Sequence, residues 1–247
     1  MKSPAYIAQH IRRVLKDGGS APHAEEVQRF FKQEVASRGW RTPELRKVAT
    51  RFRRVLLNEG GPDYLLAVAD QLFRGNVLEE KIMAEELLAK SAPHLGEAQF
   101  RLFESWLDRV GNWAEHDALA YYLLGPMIAA YPPRAARAVN WAGAHNRWAR
   151  RAAAVALIRG VRQGMFAGET ERLAGLLLDD DDLMVQKGLG WLLRELAKYQ
   201  RPVALDLLRR IRFAAPRLVL RTACETLPAA ERVRLLQRQG RGYSAVS

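Results

Sequence analysis

A few residues in this chain have types and spacings that could do chemistry: Trp113, Asp117, Arg151, Lys187 and Trp191. Trp113 and Asp117 stand four apart, which puts them on one face if the segment is helical. The run Gly111-Asn112-Trp113-Ala114-Glu115-His116-Asp117 reads as a helix start, with Asn112 a favoured N-cap and Glu115 three residues later, as in a capping box. A fixed carboxylate beside an indole face could stabilise positive charge developing on a bound molecule. Arg151 and Lys187 would suit phosphate groups. A plainer reading stays open beside each of these: Asp117 as a surface acid, Trp113 and Trp191 as core.

These residues are positioned by helices. Residues 4–17 place Tyr6, Ile7, His10, Ile11, Val14 and Leu15 on one side of an amphipathic helix that Gly18-Gly19-Ser20-Ala21-Pro22 ends. A second helix is predicted over 23–38, ending at Gly39. A third starts with Thr42 as cap and Pro43 in first position. Further helices are predicted at about 62–73, 76–90, 96–109, 112–130, 133–143, 146–163, 169–178, 181–199, 201–210, 215–225 and 229–239, with Gly, Pro, Asn or Asp at the breaks. No stretch alternates with period two for long enough to suggest a strand, so the class is all-α.

The helices repeat. Lys81, His116, Arg151, Lys187 and Arg221 recur at separations of 35, 35, 36 and 34 residues, and a step back of 35 from Lys81 reaches Arg46. Each has a large apolar residue three positions earlier. A helix pair with tight turns needs about that length, and a lone pair cannot bury its apolar face, so pairs must stack. The expected architecture is a single domain over 1–247, a curved α-solenoid of about six HEAT-like helix pairs. The recurrent positions are expected along its concave wall as a basic groove, or as solvated surface.

Composition narrows the partners. The 247 residues carry 39 Lys+Arg against 27 Asp+Glu, a net charge of +12, with a pI near 10.2. Such a balance points to a polyanion, most often nucleic acid. No apolar run approaches the ~18 residues of a membrane span, and the N-terminus lacks the apolar core of a signal peptide, so a cytoplasmic, nucleoid-associated monomer is expected. The single cysteine, Cys224, excludes an internal disulfide and a cysteine-rich zinc site. No phosphate loop, dinucleotide fingerprint, paired-histidine zinc motif or serine elbow appears. The acidic run Asp179 to Asp182 reads as a helix cap rather than a metal site. No metal and no cofactor is expected.

Several blocks carry a resemblance: Gly39-Trp40-Arg41-Thr42-Pro43-Glu44-Leu45-Arg46, Trp113 with Asp117, Asn146-Arg147-Trp148-Ala149-Arg150-Arg151-Ala152-Ala153, and Gln186-Lys187-Gly188-Leu189-Gly190-Trp191-Leu192-Leu193-Arg194-Glu195. Through them nearly the whole chain resembles the bacterial DNA alkylation repair glycosylases of the AlkD type, built of HEAT-like repeats. The resemblance implies excision of cationic N3- or N7-alkylated purines, such as 3-methyladenine and 7-methylguanine, from duplex DNA, with the damaged base left stacked. It places the catalytic carboxylate on Asp117, the active-site tryptophans on Trp113 and Trp191, and the backbone-binding arginine on Arg151. Arg41, Thr42, Arg46, Arg150, Lys187, Arg194 and Arg221 are the further expected DNA contacts. Two departures stand out: Arg41 replaces an expected Gln, and the Arg151–Trp191 spacing is one residue longer.

Two other classes compete with this enzyme. One is a catalytically silent DNA-binding solenoid, which the placement of Asp117 beside tryptophan disfavours. The other is a HEAT scaffold for proteins, which should carry more exposed Leu, Met and Phe and less uniform positive charge.

Overall fold

Helices begin where their caps stand. The side chains of Ser3, Ser20, Asn112, Asn146 and Asp182 each accept a backbone N–H of the helix that follows. The computed structural model describes residues 1–237. Its helices are α1 (Pro4–Asp17), α2 (Ala21–Gln28), α3 (Thr42–Phe73), α4 (Leu78–Leu88), α5 (Glu97–Trp106), α6 (Trp113–Leu119) and α7 (Gly125–Ala130). They continue as α8 (Arg134–Asn140), α9 (Arg147–Val155), α10 (Ile158–Val161), α11 (Ala167–Leu177), α12 (Leu183–Tyr199), α13 (Arg201–Ile211), α14 (Arg217–Ala223) and α15 (Ala229–Leu236). No strand occurs among the described residues, and the fold class is all-α.

Several helices differ from their predicted bounds. The helix predicted over 23–38 stops at Gln28. Beyond it, the Gln28 amide donates to the carbonyls of Phe31 and Gln33 and accepts from the Val35 N–H, closing a turn. The backbone donors of Arg38, Gly39 and Trp40 go to the Glu79 carboxylate instead of to helical carbonyls. The cap of α3 is Arg41 rather than Thr42, which with Pro43 fills the first turn. That helix runs on to Phe73 through a kink at Gly61, whose φ of 72° suits glycine, followed by Pro62. The stretch predicted as one helix over 112–130 holds a π-helical turn, Ala120–Leu124, between α6 and α7. The one predicted over 146–163 divides into α9 and α10. Residues 238 and 239 of the last predicted helix lie outside the described residues.

The chain divides into two compact units, one up to Ala130 and one from Tyr131 onward. In the first, Phe73, Phe100, Phe103 and Trp106 are fully buried, with Phe73 stacked on Trp106 at 4.1 Å. The register helices pack in chain order: α3 (Arg46) on α4 (Lys81), and α4 on α6 (His116). In the second unit α9 (Arg151) packs on α12 (Lys187), and α12 on α14 (Arg221), around Val155, Leu189, Leu192 and Leu193. Each unit therefore has the stacked helices that the 35-residue spacing requires.

Candidate active site and nucleic-acid interface

In the first unit the start of α6 is fixed from two sides. Asn112 Oδ1 accepts the Ala114 and Glu115 N–H groups, each at 3.1 Å. Glu115 reaches back to the Gly111 N–H at 2.7 Å and accepts the Asn112 amide. The cap stands at Asn112 as expected, while the Glu115 side chain takes the N–H of Gly111 rather than that of Asn112. Lys81 of α4 then donates to Glu115 at 2.9 Å and to the Arg109 carbonyl. Asp117, one turn from the cap, accepts the Nδ1–H of the fully buried His116 at 2.8 Å. That bond fixes the carboxylate in direction.

A cavity of about 750 Å³ opens beside Asp117. Its walls include Trp40, Arg41, Arg46, Glu85, Trp113 and Asp117. Trp113 is 37% exposed and stacks on Phe31, ring centroids 5.2 Å apart and planes 23° apart. Glu79, buried at the start of α4, holds another wall: it accepts the Ser37 hydroxyl at 2.7 Å and the N–H groups of Arg38, Gly39 and Trp40. The Trp40 indole N–H donates to the Leu15 carbonyl. Arg41 and Thr42 follow directly and are exposed, and Arg46 pairs with Glu86 at 2.8 Å.

Glu85 differs from its neighbours. It is 2% exposed, and neither carboxyl oxygen has a hydrogen-bonding partner among the described residues. Burial, then the nearby Glu115 and Glu86 carboxylates, push its carboxyl well above the usual carboxylate range, against the pull of Lys81. Its surroundings thus favour the protonated acid over the carboxylate relative to a solvated glutamate.

The second unit carries the remaining candidates. Arg151 is buried and donates to the Met184 carbonyl at 2.6 Å. Gly188 makes room for it, since a Cβ there would stand 3.0 Å from Arg151 Cγ. Arg150 donates to Asp180 at 2.6 Å and to the carbonyls of Ala144 and His145, tying the turn before α12. Asp182 caps α12 through the Met184 and Val185 N–H groups, as the sequence predicts for this acidic run. The Trp191 indole N–H donates to buried Glu195 at 3.2 Å, which also pairs with Arg162. Arg194 pairs with Glu225, while Lys187 and Arg221 are exposed.

One sequence expectation is corrected. The register positions do not form a uniform exposed cation row, because Lys81, His116 and Arg151 are buried. The side chains of Lys81 and Arg151 reach 34 and 33 residues ahead, to Glu115 and to Met184. Much of the register is thus bonding between successive repeats. The first unit brings Trp113, Asp117, Arg41, Thr42 and Arg46 onto one cavity. The second carries Arg150 and Arg151 on α9, Lys187, Trp191 and Arg194 on α12, and Arg221 on α14. Sequence reasoning missed Glu85, Phe31 and the part of His116 as Asp117's partner. Adjacent helical residues do not ordinarily face each other, so the pair 116–117 gives no pattern to find.

The comparisons bear on the family and on the fold. The family model described as DNA alkylation repair enzyme matches residues 11–227. Among solved structures, a protein described as "Predicted DNA alkylation repair enzyme from Enterococcus faecalis" superposes with a TM-score of 0.77 at 16% identity, covering 85% of this chain and 97% of that one. At that identity the likeness is one of fold. No curated protein matches the chain.

Proposed function

The chain belongs to the DNA alkylation repair enzyme family, and from that premise we propose that it is an AlkD-type DNA glycosylase releasing cationic N3- or N7-alkylated purines from duplex DNA. Membership makes it a repair enzyme for alkylated DNA; the reaction and the lesion are our reading. The observation that carries it is Asp117: a carboxylate aimed by His116, beside Trp113, on a cavity whose rim holds Arg41 and Arg46.

The chemistry follows from the leaving group. An alkylated purine already carries a positive charge, so the electron pair of the breaking C1′–N bond neutralises it and no strong general acid is needed. Positive charge then grows on the deoxyribose. Asp117 stabilises it as a preorganised anion, and the Trp113 face adds a smaller contribution. Water adds at C1′ and loses a proton, leaving an abasic site and a free base. Asp117 orients that water. Arg41, Thr42 and Arg46 hold phosphates and set register. Arg151 as a backbone contact and Trp191 as a second indole enter this reading through the sequence resemblance, as do Arg150, Lys187, Arg194 and Arg221. Cleavage proceeds with the lesion still stacked in the duplex.

The test is single-turnover release of 7-methylguanine and 3-methyladenine from methylated duplex DNA. Release by the wild type and its loss in Asp117→Asn support the reading. Tight DNA binding with no base released refutes it in favour of a silent binder.

A further inference from the structure

The helix that carries Asp117 does not run on as α-helix. Ala120–Leu124 is a π-helical turn, with the Gly125 N–H on the Ala120 carbonyl five residues back. In an unbroken α-helix residue 122 would point roughly 140° away from residue 117. A π turn rotates less per residue, and here Tyr122 and Asp117 line the same cavity. Tyr122 is 41% exposed. Its neighbour Tyr121 is buried and braces it, the two rings edge to face with centroids 4.9 Å apart.

Arg46 of α3 and Glu86 of α4 line the same space, joined at 2.8 Å from Nε to Oε1. The guanidinium is held above its ordinary value by Glu86 first, and by the Tyr122 hydroxyl as a smaller influence, so the phenol lies beside the cation. A guanidinium has five N–H donors in a fixed fork, and one bond at Nε does not exhaust it. The proposed reaction gives Tyr122 no task, yet a phenol suits this place. A lysine or arginine at 122 would set positive charge next to the carboxylate whose negative charge the reaction needs. A phenol donates its O–H to a phosphate oxygen and adds no charge.

We propose that the Tyr122 hydroxyl donates to one of the two phosphates flanking the lesion's deoxyribose, beside Arg46, and so holds that sugar against Asp117. The inference rests on the function proposed above and adds a residue to the same site.

Binding to a duplex with one tetrahydrofuran abasic site tests the contact without any chemistry. The duplex is made unmodified, and with a single uncharged methylphosphonate in place of each phosphate around the site in turn. Tyr122→Phe keeps the ring and its packing on Tyr121 and removes only the hydroxyl. It should bind the unmodified duplex about tenfold more weakly, the scale of one hydrogen bond to a charged group. With methylphosphonate at one flanking position, wild type and Tyr122→Phe should bind alike. A purely structural defect would weaken binding to every duplex equally, and melting curves confirm that the variant is folded. Equal binding of the two proteins to the unmodified duplex, or no binding by wild type, overturns the proposal. So does a difference that survives replacement of each flanking phosphate, or one that only a more distant replacement removes. Base release plays no part in these arms. A protein that shows the contact and releases no base sinks the glycosylase reading alone, and one that releases base without the contact sinks this inference alone.

Discussion

Lys81 Nζ lies 2.9 Å from Glu115 Oε2, with side chains only 6% and 4% exposed. The pair joins α4 to the cap of α6, two residues before Asp117. A buried pair of this kind is weak evidence of net stability, but breaking it on one side strands a charge. Lys81→Met should therefore cost about 3–5 kcal/mol of unfolding free energy. The double change Lys81→Met with Glu115→Gln should recover part of that loss. Urea unfolding of the three proteins reads both, and a Lys81→Met value within 1 kcal/mol of wild type, on the order of an exposed pair, contradicts the burial argument.

Asp117→Asn keeps size and hydrogen bonding but removes the charge. Base release should slow by ~100-fold or more, the scale lost with one preorganised electrostatic group. Trp113→Ala should cost less, since an indole face contributes roughly 0.5–2 kcal/mol toward a nearby cation. Single-turnover kinetics at saturating enzyme separates both effects from binding. A wild-type rate in Asp117→Asn rules out this mechanism.

The arginines should divide by their partners. Arg41, Lys187 and Arg221 are exposed, and replacing any one with Ala should lower the salt slope of duplex binding by ~1 if it meets a phosphate. Arg150 is committed to Asp180 and two carbonyls, so Arg150→Ala should lower the melting temperature and hardly change that slope. Binding that is flat between low and moderate salt would remove the phosphate reading altogether.

Glu85 gives a dependence on pH with a defined sign. Its folded-state carboxyl is raised, so the folded chain holds a proton that the unfolded chain releases above the ordinary glutamate value. Stability is fully present below that value and is lost as pH rises toward the folded one, by about 1.4 kcal/mol for each unit of difference. Glu85→Gln removes this linkage. Its melting temperature should match wild type near pH 4 and exceed it increasingly toward pH 7 and above. Parallel curves across that range would show that Glu85 is not buried as an acid.

The local features of this fold were legible. Asn112 and Glu115 mark a cap because capping depends on residues three apart, and Asp182 does the same for α12. The 35-residue register was legible because stacked helix pairs repeat their apolar positions. What the register's cations do was not. Lys81 and an exposed phosphate-binding lysine look alike in sequence, and only packing shows that Glu115 lies within reach. Non-local wiring hid the rest: residues 38–40 stay out of a helix because Glu79, some forty positions on, takes their backbone donors. The cavity joins residues from α2, α3, α4 and α6, a convergence that no single window of sequence contains.

Glu79 also makes the two sides of the cavity unequal in how they can adapt. One carboxylate gathers the Ser37 hydroxyl and three successive backbone amides, so that side cannot shift by one bond at a time. It gives way only by surrendering all four together. At Phe30, which is 75% exposed, the turn is held by separate bonds: the Gln28 amide, the Phe30 and Phe31 N–H groups to the Val27 and Gln28 carbonyls, and Gln33 to the Gly111 carbonyl. The two sides therefore yield differently, the Trp40 side as one unit and the Phe30–Phe31 turn in smaller steps.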